Sequence, residues 1–199
     1  MFTINSEMEK INTEIKNCHN CSLSKTRLNT VPGEGCSQAE VLFIGEGPGK
    51  NEDLQGRPFV GAAGQLLDQL LKSINFKRSE IFIANIVKCR PPNNRDPFPE
   101  EIQACWSFLV KQITLIQPLL IVLLGRHSLV RFYPQGHISS DHGKAFRREI
   151  SPFGQIIFFP CYHPAAALYN SSLKDVLFKD FQKIPKLLKI IKSKKMKKE

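Results

Sequence analysis

The stretch GEGPGKNEDLQGRPFVGAAG, residues 45–64, joins an apolar run to an amphipathic one. The apolar run Val41–Ile44 predicts a buried strand, and the amphipathic run beginning at Gln65 predicts a helix. A strand, a long glycine-rich loop and a helix are typical of open α/β sheets, which bind ligands at the carboxyl ends of their strands. The spacing fits neither a Rossmann fingerprint, which needs glycine at Lys50, nor a P-loop, which needs Ser or Thr at Asn51. The loop therefore predicts a ligand site without naming the ligand.

Further along the chain, three apolar runs predict strands at 81–87, 119–124 and 155–160. Helical patterns lie between and around them, at about 2–17, 62–75, 100–116, 126–133 and 173–191, whereas residues 134–150 read as irregular. Because strands alternate with helices, we expect an α/β fold whose parallel sheet is covered on both faces.

The formal charge of +10 is concentrated at the C-terminal end of the chain. Residues 183–199 contain eight lysines and one glutamate, which leaves a net charge of +3 on the other 182 residues. Three interpretations of this end remain open: a solvated tail, a nonspecific contact for nucleic-acid phosphates, and an amphipathic helix on a membrane surface. We expect one domain over residues 1–191 and a basic, disordered tail over 192–199.

The sequence predicts neither a membrane span nor a signal peptide. No apolar run approaches the ~20 residues that a membrane span needs, and the first ten residues, MFTINSEMEK, are too polar for a signal peptide. We expect a cytoplasmic monomer without a membrane partner.

The chain has six cysteines, at positions 18, 21, 36, 89, 105 and 161. In a cytoplasmic protein they do not predict a disulfide scaffold. Cys18 and Cys21 form a C-x2-C pair, and Cys89 and Cys105 form a second, more widely spaced pair. Four thiolates suit zinc or an iron–sulfur cluster, although the second pair also reads as buried free cysteines. Cys161, which ends a predicted strand, reads as a small core residue.

Several stretches together resemble the family 4 uracil-DNA glycosylases, the iron–sulfur branch of their superfamily. These stretches are residues 45–64, NIVKCRPPNNRDP at 85–97 and HPAAAL at 163–168, together with the four paired cysteines. The resemblance covers residues 10–190 and implies a three-layer α/β/α fold with a central four-stranded parallel sheet. It also implies a structural [4Fe–4S] cluster on Cys18, Cys21, Cys89 and Cys105.

The resemblance implies a uracil pocket formed by three side chains. The Asn85 amide would read uracil O4 and N3–H, and cytosine presents the opposite pattern of donor and acceptor. Phe59 would stack on the base. His163 would donate a hydrogen bond to uracil O2 as negative charge builds on the departing base.

The resemblance leaves the group that positions the attacking water less defined. Related families carry an acid or an amide at the position of Gly47, so Glu46 and the backbone around Gly47 are the candidates here. Glu52 matches a glutamate of the family, and we expect it to line the pocket near uracil C5 and help exclude thymine. Asp53 is expected to stabilise the loop.

Other residues are expected to contact uracil-containing DNA outside the pocket. Arg90, Asn94 and Arg95 would lie near the DNA backbone. The segment after His163 resembles a minor-groove loop, in which Ala167 and Leu168, with Tyr169, would fill the gap left by the flipped nucleotide. The alternative is that this segment is simply a packed helix start.

These residues predict a hydrolase that flips uracil out of DNA and cleaves its N-glycosidic bond, which initiates base-excision repair. The alternative is a noncatalytic iron–sulfur DNA-binding module associated with a DNA polymerase. A third interpretation is a structural zinc protein that binds nucleic acid.

Overall fold

A six-stranded sheet forms the centre of the computed structural model, which describes residues 3–196. The strands are β1 (Glu34–Gly35), β2 (Val41–Gly45), β3 (Phe82–Asn85), β4 (Leu120–Leu124), β5 (Phe146–Ile150) and β6 (Gly154–Cys161). They lie in the order β1-β3-β2-β4-β6-β5. The four middle strands are mutually parallel, which confirms the expected four-stranded parallel centre, whereas β1 and β5 pair antiparallel at the two edges.

Helices lie on both sides of this sheet. In the part of the chain that the structure describes they are α1 (Ile4–Lys16), α2 (Lys50–Gln55), α3 (Ala62–Ser73), α4 (Pro99–Ile116), α5 (Arg126–Phe132), α6 (Ile138–Asp141), α7 (Pro164–Tyr169), α8 (Ser172–Phe181) and α9 (Ile184–Met196). None of these helices is long and apolar enough to cross a membrane.

The sheet separates two hydrophobic cores, as expected for three layers. Strand β2 contributes side chains to both cores. Leu42 and Ile44 face the core that includes α1 and α4, while Val41 and Phe43 face the core that includes α3, α8 and α9. All five residues of β2 are buried. A parallel strand covered on both faces is apolar throughout because neither face meets water.

Several regions differ from the sequence-based expectation, and one is helix α2, which lies inside the predicted glycine-rich loop. Residues 146–150 form the edge strand β5 inside the segment predicted to be irregular, because an edge strand that alternates exposed and half-buried positions has little apolar signal. The predicted helix 173–191 is two helices, and Pro185 lies at the start of the second, where its missing N–H costs no helical hydrogen bond. The helix α9 continues to Met196, into the segment expected to be disordered, and residues 197–199 lie outside the described residues.

Four loops lie at the same edge of the sheet. Because β2, β3, β4 and β6 are parallel, the loops after their carboxyl ends open along the same edge of the sheet. This edge carries the site described below.

Phe158 of β6 tests the packing of the first core. Its ring is fully buried and lies 5.1 Å from the Phe132 ring and 5.3 Å from the Phe146 ring. We expect Phe158→Ala to lower the free energy of unfolding by about 3–5 kcal/mol, because burial is lost and a cavity remains. Thermal unfolding measures the change. The exposed Ile190 is the control, since Ile190→Ala should cost less than about 1 kcal/mol, and equal losses would contradict this description of the core.

Candidate functional site

One cavity lies at the carboxyl edge of the parallel strands. It brings together Phe59, Asn85 and His163, the three side chains predicted to form a base pocket. Glu46, Gly47 and Glu52 line the same cavity. Residues that are far apart in the chain therefore meet around one hollow, which is open to solvent at its mouth.

Asn85 is the last residue of β3 and lies in register with Gly45 of β2. Its side chain is only 2% exposed, and its Oδ1 is buried without a hydrogen-bond partner among the described residues. A buried amide oxygen without a partner is costly, so this atom has an unmet need for a hydrogen-bond donor. The amide fits here because Gly45 has no side chain: a Cβ at Gly45 would lie 2.5 Å from Asn85 Oδ1 and 2.8 Å from Phe59 Cζ.

The Phe59 ring forms one wall of the cavity and stacks on His163 with 5.5 Å between ring centroids. Its backbone has a φ of 52°, in the left-handed region that a phenylalanine rarely adopts. Arg78 holds this conformation by donating hydrogen bonds to the carbonyls of Pro58 and Phe59. The strained backbone is thus fixed by a residue that follows α3 and that no sequence motif indicated.

Glu52 holds the other side of the same loop. Its Oε1 accepts hydrogen bonds from the backbone N–H groups of Val60 and Gly61, at 2.9 and 2.8 Å, and its Oε2 accepts one from Gly49 at 3.2 Å. Both carboxylate oxygens are therefore engaged by main chain. This geometry favours a loop-holding role over the predicted contact with the base near C5, although Glu52 does border the cavity.

Asp53, the next residue, stabilises the loop as expected. It is buried, and its Oδ1 accepts hydrogen bonds from the backbone N–H groups of Leu28 and Asn29, at 2.9 and 3.2 Å. The two adjacent acids thus fix the glycine-rich loop at two separate places.

His163 lies at the N-terminus of α7, directly after β6. Its Nδ1 accepts a hydrogen bond of 3.1 Å from the Ala165 N–H, so the neutral ring carries its proton on Nε2. Burial lowers the pKa of His163 to about 4, the nearby Glu52 opposes this change, and His127 adds to it. Gly125 leaves room for the ring: its φ is +92°, and a Cβ there would lie 2.9 Å from His163 Cβ. His163 is therefore a neutral N–H donor near pH 7.

Glu46 belongs to a charged cluster at the side of the cavity. His127 Nε2 lies 3.5 Å from Glu46 Oε2 and 3.2 Å from Asp96 Oδ2, and Arg126 pairs with Asp96 at 2.7 Å. Burial raises the pKa of Glu46 to about 7; the Asp96 charge contributes to the rise, and Arg126 opposes it. Asp96 lies in the stretch 85–97 but was given no role there, and Arg126 and His127 lie outside the quoted stretches. The three residues meet Glu46 only in the folded chain.

Gly47 lines the cavity next to this cluster. A Cβ at Gly47 would lie 2.8 Å from Val87 Cγ2, so a larger residue would require the Val87 side chain, in the loop after β3, to shift. The close packing accounts for glycine at this position without assigning it a chemical role.

The two arginines that were predicted to contact DNA have different surroundings. Arg90 donates to Asn94 Oδ1 at 2.7 Å near the surface. Arg95, in contrast, forms two bonds to the buried Glu101 carboxylate and lies 3.7 Å from the Phe98 ring centre, so its guanidinium is occupied within the protein.

The segment after His163 also differs from the prediction in one position. Ala167 is buried, with 6% of its surface exposed, because it packs into the core beside α3, so it is not available to enter DNA. Leu168 and Tyr169 are 51% and 93% exposed, and Tyr169 also lines the mouth of the cavity.

Cys18, Cys21, Cys89 and Cys105 line a second, small cavity between α1 and α4. Arg27 Nη1 donates to Cys89 Sγ at 3.0 Å, and the Lys88 N–H donates to Cys105 Sγ at 3.2 Å. Cys36 and Cys161 do not line it. Burial raises the pKa of Cys105 to about 12, and the nearby Lys88 opposes this rise. A cation bound to this thiol would favour its deprotonated form.

The spacing of the sulfurs tests which group fits. Among the described residues, no three of these cysteine sulfurs lie within 4.8 Å of one another. Four thiolates on a single zinc ion, each about 2.3 Å from the metal, would be only about 3.8 Å apart. The wider arrangement fits a polynuclear iron–sulfur group on four cysteines better than one zinc ion.

Proteins of similar sequence include uracil-DNA glycosylases. The family model described as "Uracil DNA glycosylase superfamily" matches residues 32–189. The chain is 50% identical to a type-4 uracil-DNA glycosylase of Sulfurisphaera tokodaii, over 90% of this chain and 84% of that protein. It is 46% identical to one of Saccharolobus solfataricus, over 91% and 86%, and 44% identical to one of Archaeoglobus fulgidus, over 90% and 92%. The chain therefore belongs to the uracil-DNA glycosylase superfamily and, within it, to the type-4 family.

Proposed function

We propose that this protein removes uracil from DNA by hydrolysing the N-glycosidic bond, and that an iron–sulfur cluster restrains its fold. The observation that carries the proposal is the unpartnered amide of Asn85 in the same cavity as the Phe59 ring and the His163 imidazole. A module that only binds DNA has no need for this combination, so the pocket favours the enzyme over that alternative.

Recognition of uracil would depend on Asn85. Its free Oδ1 would accept from N3–H, and its amide N–H would donate to O4, whereas cytosine has an acceptor at N3 and a donor at C4. Because the amide is buried and packed against Gly45, it has little freedom to turn over and accept cytosine. Phe59 would stack on the base, and its fixed backbone would keep the ring in place.

The departing base would be stabilised by His163. Because Nδ1 already accepts from the Ala165 N–H, the Nε2–H is the donor that remains, and it would bond uracil O2 as the N1–C1′ bond breaks and its electron pair moves onto the base. A neutral donor suffices, which agrees with the low pKa of this ring.

The attacking water would be held by Glu46. Its carboxylate lies in the cavity beside the Asp96–His127 pair, where it would accept a water proton as the water oxygen bonds C1′. The bond to the base breaks largely before the water bonds, so the carboxylate also stabilises positive charge on the sugar.

DNA would approach over the mouth of the cavity. Tyr169 lines the cavity and is exposed, and its neighbour Leu168 is also exposed. Either side chain would occupy the space vacated by a flipped nucleotide. Arg90 lies in the loop after β3 and would meet the phosphates.

Cys18, Cys21, Cys89 and Cys105 would hold the [4Fe–4S] cluster, which would supply a rigid cross-link between the N-terminal segment and the loop 88–105. Arg27 and the Lys88 N–H would hydrogen-bond to the ligand sulfurs. The role of this group is structural in our proposal, because its cavity is separate from the one that contains Asn85.

The direct test is to incubate the anaerobically purified protein with a uracil-containing oligonucleotide and measure abasic sites by alkaline cleavage. We expect cleavage at uracil and none in the matched thymine oligonucleotide. Binding without cleavage would support the noncatalytic alternative instead.

Replacing the amide of Asn85 should weaken recognition of the base. We expect Asn85→Ala to lower kcat/KM for uracil excision by about 100-fold, since two hydrogen bonds of roughly 1–1.5 kcal/mol each are lost. Single-turnover assays measure the loss. Gln65→Ala removes an exposed amide from α3 as a control and should leave the rate unchanged. An Asn85→Ala enzyme as active as the wild type would refute the assigned role.

The pH dependence of kcat/KM should report Glu46. A carboxylate must be ionised to accept a proton, and burial raises the pKa of Glu46 to about 7, so activity should fall as the pH drops below about 7. Glu46→Gln should lower the rate by about 100-fold and remove this acid limb. An acid limb near pH 4 that persists in Glu46→Gln would assign the ionisation to another group.

The iron–sulfur assignment predicts a brown protein. We expect a broad absorbance near ~400 nm, which a zinc protein lacks, and its loss in Cys105→Ser. Cys161→Ser is the matched control, because Cys161 is buried in the other core and does not line the cysteine cavity. A colourless protein that contains stoichiometric zinc would contradict the assignment.

A further inference from the structure

Lys88 is a lysine in the interior of the protein, between the two sites. It is 1% exposed, follows β3 and directly precedes Cys89. Lysine is rarely buried completely, since removing an ammonium from water is costly unless the charge is compensated. The burial of Lys88 therefore requires an interaction that compensates for the charge of its ammonium group.

The Lys88 ammonium has two hydrogen-bond acceptors. Its Nζ donates to the Asn85 carbonyl at 2.9 Å and to Gln112 Oε1 at 2.7 Å, and Gln112 in turn donates to the Pro32 carbonyl at 2.8 Å. Within residues 3–196, none of the hydrogen bonds or ion pairs of Lys88 is to a carboxylate. Neutral acceptors satisfy its N–H groups but do not neutralise its charge.

Negative charge is available on the cysteine side of Lys88. The residue lines the cysteine cavity, its N–H donates to Cys105 Sγ at 3.2 Å, and Cys89 follows it in the chain. Four thiolates around an iron–sulfur core carry net negative charge in a medium of low dielectric constant. They would provide the counter-charge that the buried ammonium otherwise lacks.

The bond to Asn85 connects this charge to base recognition. On the β2 side, the backbone after Asn85 is fixed because the Ile86 and Val87 N–H groups donate to the carbonyls of Gly45 and Glu46, each at 3.0 Å. Lys88 holds the Asn85 carbonyl itself. The peptide that orients the Asn85 side chain is thus held from both sides, and one of these sides is the lysine.

We propose that Lys88 is a positioning residue that links the cysteine site to base recognition. The thiolates that hold the iron–sulfur group keep its ammonium in the core, and the ammonium holds the Asn85 carbonyl so that the amide faces uracil. The inference rests on the proposed function, and it assigns to the cluster an influence on base recognition in addition to restraint of the loop.

The test compares Lys88→Met with the wild type, both purified anaerobically with the cluster in place. Methionine keeps most of the apolar stem but removes the charge and the donor. We expect kcat/KM for uracil excision to fall by about tenfold or more, discrimination against cytosine to weaken, and chelators to remove the ~400 nm absorbance several-fold faster. Lys72→Met, at an exposed position of α3, is the control and should change none of these.

A variant that folds, keeps its cluster as long as the wild type and excises uracil equally well would overturn the proposal. Slower uracil excision without faster cluster loss, or the reverse, would overturn the proposed link between the two sites. If Lys88→Met does not accumulate, Gln112→Glu places a competing carboxylate beside the ammonium. It should slow excision and speed cluster loss, and an unchanged pair of values would again refute the proposal. Wild-type protein that removes no uracil would instead refute the proposed function, and the rate of cluster loss would still test Lys88 as the counter-charge.

Discussion

The contact between Gly45, Asn85 and Phe59 is the constraint on which the site depends. Parallel pairing places Asn85 beside Gly45, and only the missing side chain of Gly45 leaves space for both the amide and the phenyl ring. The ring reaches this position through an unfavourable backbone conformation that Arg78 and Glu52 hold from two directions. The sheet register and the strained loop thus act together. The register places the Asn85 amide in the cavity, and the loop places the Phe59 ring along one wall of it.

The loop between β3 and α4 needs a different kind of support, since it has little secondary structure. Two cysteines bracket it, and the buried carboxylate of Glu101 ties its middle to the N-terminal segment by accepting bonds from Arg95 and Ser22. A carboxylate with no exposed surface is stable there because the guanidinium and the hydroxyl satisfy its oxygens. Arg95 therefore contributes to the shape of the loop between β3 and α4 through its bonds to Glu101.

Residues next to strand ends could be predicted from the sequence, whereas residues that support them could not. The central parallel strands follow from apolar runs, and Asn85 and His163 stand where such runs end, so their convergence follows from parallel pairing alone. Arg78 and His127 reach the site through long-range contacts, and no local pattern encodes such contacts. Edge strand β5 was missed because its exposed positions are polar, and Ala167 was misplaced because the burial of one helical face depends on its neighbours.

The two edges of the sheet offer little to an additional strand. One edge is formed by β1, which is only two residues long, and the other by β5, where the exposed Arg147 and Glu149 alternate with half-buried residues. An open edge normally offers a template on which another chain can add a strand, but a very short edge and a charged edge are both poor templates. The hairpin of β5 and β6 therefore ends the sheet with a strand that is a poor template for further pairing, and the two-residue β1 does the same at the other edge.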